Sequence, residues 1–470
     1  MQQTRTKIIC TIGPATKSFS ALRGLYNSGM NVVRINMSHA DHKSAKLIIN
    51  NINKINQDVR SKNGPIGILL DTQGPEIRTG DTEHALDLKE GDEVTLTVRD
   101  QIDVETSSIK INYKDLIKSV SPGSRITVDN GLINFKVLSK EEETLLCRVL
   151  DGGRLGSKRH VNLPGVRVNM PSITSKDLKD IEFGIQNKVD FIALSFVRDA
   201  DDLDKLQIIL NKSKSPAKII AKIENQEGLD NIDEICKSSW GVMVARGDLG
   251  IETSLTDLPN IQRRIMHACG KWGKRSIVAT HLLESMIQNP TPTRAEASDV
   301  ANAIYEGADA VMLSGETSVG KYPIECVKFL KSISYKTEKF ATLGYETNLV
   351  PTSDWQHIGI TAKHLAESTN ADGIIAITRT GETANLVSNA KPNGIPIYTF
   401  TNNKSTYSQL SLVGSSHAFL IGRISDHDKA LSKVISILKR DIYSSSGSKF
   451  ILVSGIFSEN HSEAIQIINI

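Results

Sequence analysis

The heptapeptide Lys218-Ile-Ile-Ala-Lys-Ile-Glu224 decides the fold. It is an apolar run of strand length interrupted by two ionisable residues two positions apart. In a strand Lys222 and Glu224 point to the same face, and the intervening Ile223 to the other. Runs of the same texture lie on either side: DFIALSFV (Asp190 to Val197), WGVMVA (Trp240 to Ala245), SIVAT (Ser276 to Thr280) and AVMLS (Ala310 to Ser314). Upstream come Lys7 to Ile12, NVVRINM (Asn31 to Met37) and IGILLD (Ile66 to Asp71). Near-continuous apolar strands are the signature of a parallel sheet covered on both faces. Helix-patterned segments such as Leu178 to Asn187 and Pro259 to Trp272 lie between them. The alternation predicts an α/β fold, and eight strands suggest a closed (β/α)8 TIM barrel.

One gap is too long for a single helix. Between Asp71 and Asp190 the pattern switches to alternating apolar and polar residues: VTLTV (94–98), RITV (125–128), NFKVL (134–138) and LLCRVL (145–150). Ser121-Pro122-Gly123 and Asp129-Asn130-Gly131 supply turns. A small antiparallel β domain is therefore expected at 79–169, inserted after the third barrel strand. Removing it leaves 1–78 and 170–345, about 250 residues, the usual size of such a barrel. Around Ala341 to Asp354 the pattern breaks. Beyond it a C-terminal α/β domain (346–470) is expected, with helices at His357 to Ser368 and Thr383 to Ala390. Its expected strands are GIIAI (373–377), PIYTF (396–400) and FILVS (450–454), with a polar loop at Ser444 to Ser448.

Composition narrows the function classes. The 470 residues are 39% hydrophobic and 23% charged, with a formal net charge of +3. This is an ordinary globular balance that gives no reason to expect nucleic acid or a membrane surface as partner. No apolar run approaches the roughly 20 residues of a membrane helix. Cys10, Cys147, Cys236, Cys269 and Cys326 are odd in number and form no CxxC, which fits a reducing compartment; a cytoplasmic protein is expected.

In a barrel, chemistry sits at the C-terminal ends of the strands. Strand 2 ends in Arg34, Asn36, Ser38 and His39; strand 3 ends in Asp71, Thr72 and Arg78. Strand 5 carries Lys222 and Glu224, strand 6 Arg246, Gly247 and Asp248, strand 7 Thr280 and His281, and strand 8 Ser314 and Glu316. Any one of these would pass as a loop start; their concentration on one rim points to function. An inward Lys222 and Glu224 would be costly unless paired or liganded. They could be an ion pair tying strands together, or a cation beside a metal-binding carboxylate with Asp248 as the second. Two carboxylates plus substrate oxygens suit magnesium. The glycines flanking Asp248 would let a ligand approach the backbone, although such a turn is also common in plain βα connections. Arg34, Arg78 and Lys222 would form a ring of cations suited to phosphoryl transfer. Asn36, Ser38, Asp71 and Thr72 offer only hard oxygens. Hydrogen bonding between strands 2 and 3 is the plainer account of them, and a monovalent cation site the alternative.

Taken together, TKIICTIGPA (Thr6 to Ala15), VVRINMSH (Val32 to His39), LDTQGPEIRTG (Leu70 to Gly80), IIAKIEN (Ile219 to Asn225), MVARGDLG (Met243 to Gly250), ATHLLESM (Ala279 to Met286), PTRAEASDVANA (Pro292 to Ala303) and VMLSGET (Val311 to Thr317) resemble the pyruvate kinases, in order and spacing and over essentially the whole chain. The resemblance implies transfer of a phosphoryl group from phosphoenolpyruvate to ADP. It implies Lys222 as the essential cation, with Arg34 and Thr280 also catalytic. Glu224 and Asp248 would hold magnesium, or manganese in its place. Arg34, Gly247, Asp248, Thr280 and Ser314 would line the phosphoenolpyruvate site. Asn36, Ser38, Asp71 and Thr72 would hold potassium, in place of the plainer account above; Glu76 goes with potassium dependence. Asn36, His39, Arg78 and Arg159 would contact the nucleotide, and the β insert would act as a lid. A phosphorylated effector would bind at Thr378, Arg379, Thr380, Gly381 and Thr383, where Glu382 puts an adverse charge, and a homotetramer is expected.

The chain departs from the family pattern at Ala40, Gln73, His281, Leu282, Arg159 and His160. A magnesium-dependent aldolase or lyase would share the carboxylates and the lysine but would not need the insert or Arg78. A non-catalytic relative would not need to keep Lys222, Glu224, Asp248 and Thr280.

Overall fold

The computed structural model describes residues 4–58, 64–82, 84–99, 108–166, 168–422, 427–441, 447–454 and 464–470. Strands are numbered in chain order. Eight close into an all-parallel barrel in the order β1 (Lys7–Thr11), β17 (Ala310–Leu313), β16 (Arg275–Ala279), β15 (Gly241–Ala245), β14 (Lys218–Ile223), β13 (Phe191–Leu194), β3 (Gly67–Asp71) and β2 (Val32–Asn36). All eight coincide with the apolar runs read from the sequence. Side-chain parity then sorts the residues. Ile9, Val32, Leu69, Ile220, Met243 and Ile277 pack inside the barrel. Their neighbours Val33, Leu70, Ile219, Ala221 and Val242 pack outward against the helices. Counting two residues on from Val32, Leu69 and Ile220 puts Arg34, Asp71 and Lys222 on the inner face at the C-terminal rim.

Two helices flanking the rim begin with reciprocal capping boxes. At 175–186 the pair is Thr174 and Asp177; at 294–305 it is Thr293 and Glu296. The same Asp177 carboxylate also accepts from the Gln73 and Gly74 amides at 3.1 and 3.0 Å, so one cap fixes the exit of β3.

The insert is a seven-stranded sheet in the order β4 (Ile77–Arg78), β12 (His160–Asn162), β8 (Arg125–Val128), β9 (Ile133–Lys140), β10 (Thr144–Asp151), β6 (Glu93–Thr97) and β7 (Ser108–Lys110). A ribbon of β5 (Leu86–Leu88) and β11 (Gly153–Leu155) joins it. The four longer strands match the alternating runs; the short ones carried no readable alternation. The insert has its own core around Phe135, Leu96, Leu145 and Leu116. Arg78 lies on β4, paired antiparallel with β12, and so belongs to the insert's sheet rather than to the end of barrel strand 3.

Residues 341–353 are irregular apart from one turn at Tyr345–Asn348. Beyond them lies a five-stranded sheet in the order β20 (Ser416–Leu420), β19 (Ile397–Thr401), β18 (Gly373–Ile377), β21 (Lys449–Ser454) and β22 (Ala464–Asn469), parallel except for β22. β20 and β22 were not read from the sequence, and of the polar loop at 444–448, residues 444–446 lie outside the described residues. This domain closes the barrel's N-terminal end: Leu412 packs inside the barrel with Ile9, Leu69 and Ile277. No helix among the described residues is long and apolar enough to cross a membrane, and all five cysteines are buried and free.

Candidate active site

Lys222 is the hub of the rim. Its Nζ donates to Ser195 Oγ at 2.6 Å and lies 2.9 Å from Glu224 Oε1 and 3.1 Å from Asp71 Oδ1. Burial opposes its charge, but Asp71 and Glu224 outweigh that and hold the ammonium above its ordinary range. Asp71 is fully buried, yet the cations of Lys222 and Arg34 keep its carboxyl below the usual carboxylate range. Arg34 Nε donates to Asp71 Oδ2 at 2.6 Å, and its Nη1 donates to Thr11 Oγ1 at 3.1 Å.

Glu224 and Asp248 behave differently. Burial pushes Glu224 up to about 7, with Asp248 and Asp71 adding to the effect against Lys222. Burial raises Asp248 as well, and the two carboxyls are within hydrogen-bonding reach. Glu224 Oε2 also accepts from the Phe196 amide at 2.6 Å. Three carboxylates here face the two cations Lys222 and Arg34, so a further positive charge would relieve both raised groups. The donor set is hard oxygen from two adjacent carboxyls, which fits magnesium or manganese. Among the described residues no group of three or more His, Cys, Asp or Glu could hold a metal by itself; a site of two carboxylates needs substrate or water to complete it.

The second oxygen group lies across β2 and β3. Register pairs Asn36 with Asp71. Asn36 Oδ1 accepts from the Ser38 amide at 3.1 Å, and the Thr72 carbonyl accepts from Ser195 Oγ at 2.7 Å. Neither bond runs between β2 and β3; the side-chain link across those strands is Arg34 Nε to Asp71 Oδ2, and the four residues form a set of oxygens that also suits a large monovalent cation.

At β16 the chain turns sharply: Thr280 has φ 67° and His281 φ 53°. Thr280 Oγ1 donates to the Ala279 carbonyl at 2.6 Å and accepts from the Gly247 amide at 2.8 Å. Arg246 clamps the turn. Its guanidinium donates to the Thr280 carbonyl at 2.5 Å and holds both oxygens of Asp299 at 2.8 and 2.7 Å. A Cβ at Gly247 would meet nothing closer than Thr280 Oγ1 at 3.6 Å, so the chain itself does not demand glycine there. Ser314 Oγ is buried without a hydrogen-bond partner. Glu316 fixes the same corner by accepting from the Ser314 and Leu283 amides at 2.7 and 3.0 Å.

The remaining expected residues are spread more widely. Arg78 pairs with Glu76 at 2.6 Å and donates to the Lys158 carbonyl at 2.8 Å, tying the insert to the rim. Gln73 donates to the same Glu76 oxygen at 3.0 Å. His39 is exposed beyond β2. Arg159 projects from the insert toward Asp129 at 3.4 Å. Burial keeps its neighbour His160 below the ordinary imidazole range.

Thr378 to Thr383 lie apart, in the C-terminal domain. Gly381 takes φ 91°, a left-handed conformation that favours glycine, and donates to Thr378 Oγ1 at 2.9 Å. Arg379 and Thr380 are exposed and Thr383 is buried.

Sequence reasoning missed Ser195, which links Lys222 to the Thr72 carbonyl. The signal existed, a hydroxyl closing the apolar run of β13, but that strand end was the one left unread between strands 3 and 5. It also missed Thr11 and Asp177, whose sequence context carries no mark of function.

Fold and site together define a barrel enzyme of phosphoryl transfer, built around one lysine and two metal-seeking carboxylates. Comparison with known proteins agrees. A family model described as the pyruvate kinase barrel domain matches residues 3–327, and one described as the pyruvate kinase alpha/beta domain matches 356–468. A pyruvate kinase of Staphylococcus epidermidis is 41% identical over 96% of this chain and 78% of its own length. The plastidial pyruvate kinase 2 of Arabidopsis thaliana is 42% identical over 87% of this chain and 70% of its own length. A crystal structure of a pyruvate kinase from Cryptosporidium parvum superimposes with a TM-score of 0.94 at 34% identity, covering 99% of this chain and 96% of the other. The chain belongs to the pyruvate kinase family.

Proposed function

We propose that the chain carries out the family's reaction through the rim just described: the phosphoryl group of phosphoenolpyruvate passes to ADP, and the enolate left behind takes up a proton to give pyruvate. The observation that carries this reading is Lys222, buried against Ser195, Asp71 and Glu224 with its charge enforced. A fixed cation there stabilises charge on the phosphoryl oxygens in flight and on the enolate oxygen. Arg34, oriented by Asp71 and Thr11, takes the substrate phosphate. The Gly247 amide, Asp248, Thr280 and the unpartnered Ser314 hydroxyl line the substrate. Thr280 Oγ stands at the end of the proton's route to the enolate carbon, through water. Asn36, His39, Arg78 and Arg159 face the nucleotide.

Glu224 and Asp248 would hold magnesium or manganese, which supplies Lewis-acid charge to the phosphoryl oxygens when bound. Asn36, Ser38, Asp71 and the Thr72 carbonyl would hold potassium. The insert closes over the rim and excludes water from the transfer. A cytoplasmic homotetramer, with a phosphorylated effector at Thr378 to Thr383, completes the reading. The effector's phosphate would have to tolerate Glu382, whose charge acts on Lys218 of the barrel.

Pyruvate formation from phosphoenolpyruvate and ADP with magnesium, measured with and without potassium, tests the proposal. Potassium-stimulated turnover is the expected result. Turnover indifferent to potassium would discard the monovalent site alone. No turnover in either condition would overturn the catalytic reading.

A further inference from the structure

Two consecutive residues in the first turn of the helix at 175–186 reach the exits of β2 and β3, the strands whose ends carry Asn36, Ser38, Asp71 and Thr72. Lys176 Nζ donates to the Met37 carbonyl at 2.7 Å. Asp177 accepts from the Gln73 and Gly74 amides. A peptide group is planar, so fixing its carbonyl also aims its N–H, and the reverse.

The Met37–Ser38 peptide has its carbonyl on Lys176 and its N–H on Asn36 Oδ1 at 3.1 Å. The ammonium therefore aims the N–H that holds the Asn36 side chain. The Met37 amide donates to the Asp71 carbonyl at 2.9 Å, and its side chain is buried, so the segment has few other arrangements. The Thr72–Gln73 peptide is built the same way in reverse. Asp177 holds its N–H, and its carbonyl belongs to the oxygen group. The grip is itself fixed. Asp177 is fully buried and bonded to Thr174 Oγ1 at 2.6 Å. Lys176 stands where a positive charge opposes the helix dipole. Asp180, 3% exposed, offsets that by receiving Nζ at 2.7 Å. The other oxygen of Asp180 lies 2.7 Å from His42 Nε2, at the start of the helix His42–Asn56 that follows the loop. The pair with Asp180 alone would serve the helix; the bond to a carbonyl at the end of another strand does not.

We infer that Lys176 is a positioning residue for a monovalent cation at Asn36, Ser38, Asp71 and the Thr72 carbonyl, matched on the other strand by Asp177. It acts through the Met37–Ser38 peptide rather than as a ligand. The inference rests on the potassium reading above and adds to it the side chain that sets the ligands on β2.

The test uses the full chain and the thallous ion, a potassium surrogate, with binding followed by thallium NMR in nitrate buffer. Expected are saturable binding to the native chain and a weakening of about tenfold or more in Lys176→Met. Lys179→Met, which removes an exposed charge from the same helix, should bind as the native chain does. The potassium concentration for half-maximal turnover should rise with the thallous dissociation constant, while Mn2+ affinity by paramagnetic resonance stays at the native value. Circular dichroism melts establish that each variant is folded, and Lys176→Gln replaces Lys176→Met if the latter is not. Three outcomes would overturn the proposal and leave the monovalent site standing: native thallous affinity in the folded Lys176 variant, an equal weakening in Lys179→Met, or a parallel fall in Mn2+ affinity, the mark of a merely structural role. No saturable binding to the native chain would instead overturn the potassium reading, and this inference with it.

Discussion

Thr280 holds a β-branched side chain at φ 67°, a region such residues avoid. The conformation persists because Arg246, itself anchored on Asp299, grips the Thr280 carbonyl, while Oγ1 engages Ala279 and Gly247. Strain so over-determined is a mark of a working site. We expect Thr280→Ser to keep most activity and Thr280→Val to lower kcat about a hundredfold or more, read by steady-state kinetics. For Lys222→Met we expect a loss of at least about a thousandfold in kcat, with Mn2+ binding retained by paramagnetic resonance; near-normal turnover would sink its role. Glu76→Lys should weaken potassium stimulation, because the new ammonium would stand in for the ion. It also frees Arg78 and Gln73 from their shared carboxylate, so KM for ADP should move with it. An unchanged potassium requirement would count against charge replacement.

At the scale of elements, the eight barrel strands were legible because burial on both faces writes them as apolar runs, and rim residues were legible because polar groups end those runs. Parity within KIIAKIE already placed Lys222 and Glu224 together. The short strands were not legible: β4, with two residues, and β5, β7, β11 and β12, with three each, are too brief to show alternation. Hence Arg78 was assigned to the barrel although its backbone pairs in the insert. Ser195 was missed because its importance lies in contacts with Thr72 and Lys222, 123 and 27 residues away, which no local pattern encodes. The Arg246–Asp299 clamp joins the end of β15 to the helix at 294–305. Asp299→Ala should cost activity more than fold: the turn at Thr280 loosens while the core stays intact. A kcat loss of about tenfold or more with a melting temperature lowered by only a few degrees is expected.

Across the whole molecule, a buried charge network joins the barrel's N-terminal end to the C-terminal domain. Asp309 receives Lys391 at 2.9 Å and Arg275 at 3.5 Å. Arg275 also donates to Ser388 at 2.7 Å and to Asn389. A Cβ at Gly414 would come within 2.6 Å of Asp309 Oδ1, so the domains meet there at glycine. Asp309→Asn strands two buried cations, and we expect a loss of about 3–5 kcal/mol by chemical denaturation. Nearby, Lys7 donates to the Ser416 carbonyl at 2.6 Å, and burial lowers it to about 8, with Glu338 opposing. The unfolded chain, at the ordinary value of 10.5, then binds more protons than the native one between those values. Stability from this group is present above pH 10.5 and is lost as pH falls through about 8. Lys7→Met should remove that part of the pH slope in denaturation measured across the same window. The antiparallel pairing of β4 with β12 brings the insert's entry and exit side by side, His160 opposite Arg78. Loop closure there is already satisfied by the barrel's own scaffold. The insert is thus a cassette: a two-residue hairpin turn joining Arg78 to His160 should excise it and leave a barrel that still folds, and inserts of other lengths could be grafted at the same seam without disturbing the barrel.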